Sequence, residues 1–178
     1  CYHVIDYDPA TGKVLNKHTA QGYAHETSWA RGQAWAIYGF TVCYRYTRDK
    51  RYLDLAQKVL NFILKNKNMP KDLVPYWDYD APNIPNEPRD ASSAACVASA
   101  LYEMDVYLPG NNYRSLANRM LRSLSTPAYR APLGKNGCFL LMHSVGSIPH
   151  NNEIDVPLNY ADYYFLEALM RQRKAPKF

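Results

Sequence analysis

At 178 residues, 47% of them hydrophobic, the chain is long enough to bury a sizeable core and short enough for one domain. A net charge of +5 favours acidic partners through long-range steering, but the basic residues collect in Arg48 to Lys67 and Arg114 to Arg122, on outward helix faces, and make no stripe for nucleic acid. No run approaches the roughly 18 apolar residues of a membrane span, and the four cysteines lack the paired spacing of a zinc site, so neither a membrane nor a metal is expected.

Residues 1–27 read as extended or looped. Tyr2, Val4 and Ile5 point to a short strand, and Asp8-Pro9-Ala10-Thr11-Gly12 to a turn. The absence of an initiating Met and of a signal peptide is expected of a processed, trimmed or excised segment. A first helix is predicted from about Trp29 to Thr47, with Ser28 as its N-cap and apolar residues at Trp29, Ala36, Ile37, Phe40, Cys43 and Tyr44. The second runs from Lys50 to about Lys67 on a stripe of Tyr52, Leu53, Leu55, Ala56, Val59, Leu60 and Ile63. A loop rich in proline follows. Asp90 caps a third helix that reaches about Leu108, where Pro109-Gly110 breaks it. Asn112 to about Leu124 forms a fourth. Residues 127–156 make a second long segment, with a hairpin expected around Gly134 to Gly137 and a strand at Cys138 to His143. The fifth helix is predicted from about Pro157 to Lys174, with proline in its first turn. Cys43 and Cys96 fall at apolar helical positions, where cysteine acts as a small hydrophobe.

Connection lengths alternate. Helices one and two are joined by a few residues, as are three and four, while the connections before helices one, three and five are long. In an antiparallel array this places every long connection, and the N-termini of helices one, three and five, at one end. The starts Trp29, Ser93 and Asn159 recur at about 64 residues, the pattern of an α-hairpin toroid or solenoid with its working face on the long-loop side.

The stretch Ser28-Trp29-Ala30-Arg31-Gly32-Gln33-Ala34-Trp35 carries the candidate chemistry. Arg31 and Trp35 are four apart and share a helix face. A helix N-terminus favours an anion, and a guanidinium fork beside flat indoles suits a sugar acid: stacking for the ring, paired bonds for the carboxylate. The plainer alternative is a buried Arg–Asp pair under two core tryptophans.

Ser28 to Trp35 followed by Ile37-Tyr38-Gly39, and the later run Asn159-Tyr160-Ala161-Asp162-Tyr163-Tyr164-Phe165-Leu166-Glu167-Ala168-Leu169, closely resemble the unsaturated glucuronyl hydrolases, glycoside hydrolase family 88. The resemblance implies an all-α fold, an (α/α)6 barrel of six hairpins in a ring, to which the residues here add a small β-hairpin in one loop. Five helices are about half of that ring, so residues 1–178 are expected to be the C-terminal half of one catalytic domain, with the missing N-terminal half as a partner. The family releases Δ4,5-unsaturated uronic acid from oligosaccharides left by polysaccharide lyases, by hydrating the vinyl ether bond, and needs no cofactor or metal. Its two catalytic aspartates lie upstream, so none is expected in this chain, and the isolated segment is expected to be inactive. Asp78 and Asp80 read as loop-shaping carboxylates and Asp90 as a helix cap. Carried over motif by motif, His3, Gln21, Arg31 and Trp35 line the sugar pocket, with Trp35 stacking and the others bonding hydroxyls and carboxylate; Trp29 is placed with them. The loop Ser144 to Asn152 contributes Ser147 and His150, with Asn152, where members that prefer sulphated disaccharides resemble Ser-x-x-Ser-x-Lys; the lysine's point charge is lost, which weakens a sulphate preference, with His150 as its partial replacement. The rivals are an unsaturated rhamnogalacturonyl hydrolase, which Gln33-Ala34 disfavours, and a non-catalytic helical repeat that binds acidic glycans or a protein.

Overall fold

A computed structural model describes residues 2–173. Two strands, β1 (Val4–Tyr7) and β2 (Val14–His18), precede five helices: α1 (Ala30–Thr47), α2 (Lys50–Lys65), α3 (Ala91–Tyr107), α4 (Tyr113–Leu124) and α5 (Asn159–Arg173). Asp8 makes the turn between the strands. Its Oδ1 accepts the backbone N–H groups of Ala10 and Thr11 at 2.8 Å each, and Gly12 takes a left-handed φ of +69° that a side chain would resist. β1 and β2 then pair antiparallel, Val4 opposite His18 and Ile5 opposite Lys17.

The β-hairpin of the fold is this one. The hairpin expected at Gly134 to Gly137, with its strand at Cys138 to His143, does not form. Residues 136–138 make a single 3-10 turn, and Arg130 and Leu141 share one isolated bridge. Two causes are visible. Asn136, Gly137 and Cys138 all adopt positive φ, which curls the chain out of an extended path. The backbone N–H groups of Leu140 and Leu141 donate to the Asp162 carboxylate on α5 at 2.7 and 2.9 Å, so they are not available to a ladder.

Helix starts are fixed in different ways. Asp90 caps α3 as expected, its Oδ1 accepting Ser92 N–H at 3.1 Å, and Asp49 caps α2 in the same manner. Ser28 does not cap α1. Its backbone is bound to the loop before α3, with N–H donating to Asp80 and C=O accepting from Tyr79 N–H, while Ala30 N–H donates to Trp77 O at 3.0 Å. That loop backbone takes the place of a side-chain cap, and α1 begins after Trp29. Pro157 lies before α5 and not inside it; the predicted end at Lys174 lies outside the described residues.

α3 is the centre of the packing. Every residue from Ala91 to Tyr102 is buried, and the small side chains let neighbours approach closely. Ser93 Oγ donates to Ala30 O of α1, and Cys96 lies 3.7 Å from Ala34 O. α1 and α5 flank α3, α2 packs on α1 and α4 on α3. Helices one, three and five therefore form one layer and two and four a second, as the loop lengths imply. The starts of α1, α3 and α5 meet at one end, where Arg31, Asp90 and Tyr160 are neighbours. On α5, Tyr160, Tyr164 and Leu169 face the core, but Tyr163, Leu166 and Met170 are exposed, as are Leu55 and Phe62 on α2.

Candidate functional site

Arg31 enters from the first turn of α1 and is 1% exposed. Its Nη1 donates to Asp90 Oδ2 at 3.3 Å and to Val145 O; its Nη2 donates to Gly146 O at 2.6 Å. The guanidinium lies 4.7 Å from the Trp29 ring centre, 5.5 Å from Trp35 and 5.3 Å from Tyr160, a cage in which cation–π attraction adds to the ion pair. Nε has no hydrogen-bond partner among the described residues. Asp90 is fully buried; burial pushes its carboxyl up, against the pull of Arg31 and of the Ser92 bonds. This is the buried Arg–Asp pair under two tryptophans. The open fork expected for a ligand carboxylate is not presented in this arrangement: the group is 1% exposed and three of its five N–H groups already hold protein oxygens.

Trp29 and Trp35 divide the tasks assigned to them jointly. Trp29 is 2% exposed and is a buried support, not a stacking surface. Trp35 stands edge-to-face against it at 5.8 Å and tilted against Tyr160 at 6.4 Å, and remains 41% exposed. An indole fixed by two rings and open on the remainder is a platform for an apolar sugar face.

Loop 144–156 joins the site through the carbonyls of Val145 and Gly146. It folds back on itself through the pairs Ser144–Val156 and Ser147–Asn152. Gly146 lies so close to Glu153 that a Cβ at that position would collide with the glutamate side chain. The loop is tied from two directions at one atom: Gly146 O accepts from Arg31 and, at 3.2 Å, from Gln21 Nε2. Beyond this anchor, Ser147 Oγ and His150 Nδ1 are 2.7 Å apart.

The amino-terminal side brings His3 and Gln21. The His3 ring lies 4.8 Å from Trp29, and its Nε2 accepts Ala20 N–H at 3.2 Å. Segment 19–28 is fixed by Asp78, which is buried and accepts from Tyr23 N–H, Thr27 Oγ1 and Asp80 N–H at 2.8–3.0 Å. Asp78 and Asp80 thus shape loops, as read from the sequence.

Contacts therefore link all seven expected residues around the start of α1: His3, Trp29, Arg31 and Trp35 directly, and Gln21, Ser147 and His150 through Gly146. Tyr160, the carbonyls of Val145 and Gly146, and Asp78 were not expected there. Tyr160 carried a signal, being the first aromatic residue of α5 and lying in its first turn; backbone acceptors leave no mark in a sequence.

No family model matches the chain. Over 172 residues it is 49% identical to an unsaturated glucuronyl hydrolase of Formosa agariphila, covering 97% of this chain and 43% of that protein. Over 175 residues it is 38% identical to an unsaturated chondroitin disaccharide hydrolase of Streptococcus agalactiae, covering 96% of this chain and 43% of that protein. A solved unsaturated glucuronyl hydrolase specific for heparin superposes with a TM-score of 0.94 at 47% identity, over 99% of this chain and 48% of that one. The chain spans about half the length of the curated relatives it matches.

Proposed function

The chain belongs to the unsaturated glucuronyl hydrolases, and from that premise we propose that it is the C-terminal, substrate-gripping half of an enzyme releasing Δ4,5-unsaturated uronic acid from lyase-generated oligosaccharides. Its layered helices are about half of the six-hairpin toroid of those relatives. The missing half would complete the ring against the exposed apolar flanks of α2 and α5. In the reaction a carboxyl group protonates C4 of the C4=C5 bond, water adds at C5, and the hemiketal opens with loss of the sugar. An acid/base carboxyl for that step must be reachable and unpaired. Asp78 is buried with three donors, Asp90 is paired with Arg31, and Asp80 accepts Ser28 N–H. Asp78 and Asp90 are closed to a substrate by burial, and Asp80, though exposed, is occupied in holding Ser28, which supports a catalytic pair upstream of these residues.

The half-exposed Trp35 beside a polar wall carries the proposal. The unsaturated ring lies on Trp35; His3 and Gln21 border it; Ser147 and His150 meet polar groups of the next sugar. Arg31 acts behind the wall by holding the carbonyls of Val145 and Gly146. In the full-length enzyme, Trp35→Ala should lose about 1–3 kcal/mol of transition-state binding, or roughly 5- to 150-fold in kcat/KM, with the melting temperature little changed. The assay follows loss of the double-bond absorbance of an unsaturated disaccharide. Wild-type turnover with an unaffected Trp35→Ala variant would remove Trp35 from the site, and turnover by residues 1–178 alone would place the catalytic carboxylates in this chain.

A further inference from the structure

The turn that carries Gln21 is held by two imidazoles. Thr19 N–H donates to His25 Nδ1 at 3.3 Å, and the next amide, Ala20 N–H, donates to His3 Nε2 at 3.2 Å. A ring nitrogen that accepts a backbone N–H carries no proton of its own. Both imidazoles are therefore neutral in this arrangement, and their tautomers are set: His3 keeps its proton on Nδ1, 3.4 Å from Thr19 Oγ1, and His25 on Nε2. Thr19 Oγ1 also accepts Gly22 N–H at 2.8 Å, so one threonine closes the turn from inside while the two histidines close it from outside. Gln21 projects from this turn to Gly146 O.

We propose that His25 and His3 are positioning residues that clamp the 19–22 turn, and with it Gln21 against loop 144–156, only while both rings are neutral. Protonation of either ring places an N–H against an N–H, and the bond to the turn is lost. The proposal rests on the functional reading above for its effect on substrate, not for the clamp itself. The surroundings oppose protonation of His3: burial first, then neighbouring positive charges, His18 of β2 and Arg31 of α1 among them, hold it below the ordinary histidine range. His25 meets the His18 ring edge-on at 5.8 Å. His18 itself is 3.3 Å from Asp6 of β1, and Glu26, next to His25 in the chain, accepts from Tyr2. For His3, a folded-state value below the unfolded one means that its stabilisation is complete above about pH 6.5 and is lost as pH falls toward the folded value.

Two measurements on the full-length protein test this. Hydrogen-exchange protection of the Thr19 and Ala20 amides, corrected for the intrinsic pH dependence of exchange, should fall about tenfold between roughly pH 7.5 and 5.5 as histidine protonates. In His25→Gln, whose amide oxygen accepts a hydrogen bond but does not titrate, the Thr19 amide should stay protected across that range. With an unsaturated glucuronyl disaccharide, KM should rise as the turn is released. His25→Phe should raise KM roughly 2- to 12-fold at all pH values with kcat nearly unchanged, and His25→Gln should reduce the acid rise to the part that His3 contributes. Protection that does not change with pH in the wild type overturns the clamp whatever the kinetics show. Absence of turnover with pH-dependent protection upholds the clamp and overturns only the substrate reading.

Discussion

Arg31 engages the interior with both ends of its fork, so its replacement acts on the wall before it acts on the ligand. Arg31→Lys keeps a charge near Asp90 but cannot reach the carbonyls of Val145 and Gly146 together. Loss of charge-assisted bonds in a buried site should lower stability by about 1.5–3 kcal/mol, seen as a drop in melting temperature. Activity should fall for an unsaturated disaccharide and for its carboxyl-reduced analogue by the same factor. A penalty confined to the substrate that carries the carboxylate would restore Arg31 as a direct ligand. At this scale the sequence was legible wherever a partner is near in the chain. Asp90 as a cap and Asp78 as a loop carboxylate follow from the residues around them. The partners of Arg31 lie 59, 114 and 115 residues away. Nothing in the stretch Ser28 to Trp35 distinguishes an arginine that bonds a sugar acid from one that bonds backbone oxygens.

Among the elements, α3 has the least freedom. Its face toward α1 is made of Ser93, Cys96 and other small residues, and hydrogen bonds run from it to the α1 backbone. Ala98 is fully buried in this helix. Ala98→Leu adds volume where no neighbour can move without shifting a helix, and should cost about 1–3 kcal/mol through overpacking. A chemical denaturation midpoint that falls without a change in slope would register it; an unchanged midpoint would mean that the inner layer is looser than the burial of α3 implies. Helices were readable because their apolar period and breakers agree, and predicted boundaries fall close to those observed. Hairpins were not. Gly134 and Gly137 resemble hairpin punctuation, but the extended partner they need is claimed by Asp162. Val14 to His18 has no alternation, since both of its faces are largely exposed, and its pairing follows from the Asp8 turn.

For the whole molecule, the end of the helix layer opposite the site is fixed by charge. Glu103 of α3 accepts from Arg45 of α1 and from Tyr107, and lies 3.1 Å from Arg171 of α5. Burial pushes the Glu103 carboxyl up, but these donors outweigh it and hold it below the usual carboxylate range. A depressed folded value stabilises the protein above about pH 4.5 and ceases to do so as pH falls through it. Glu103→Gln should therefore be less stable than wild type by about 1.5–3 kcal/mol at neutral pH, and thermal melts of the two should converge in acid. A difference that persists near pH 3 would assign the effect to packing. The two-layer arrangement was legible from the alternation of loop lengths alone; the cross-helix network was not, because Arg45, Glu103 and Arg171 sit on separate helices at spacings no periodicity records.

The carbonyl of Gly146 joins a side chain 125 residues earlier in the chain to another 115 residues earlier. Contacts between α1 and α2, or α3 and α4, close loops of only a few residues. Because the entropy of closure is lost before such a distant contact can form, the helical hairpins have a head start and the two walls of the site meet late. During synthesis, Gln21 leaves the ribosome well before the loop it must hold. The expected order of assembly is helical hairpins first and pocket last, so that substitutions in the pocket should change the refolding rate little.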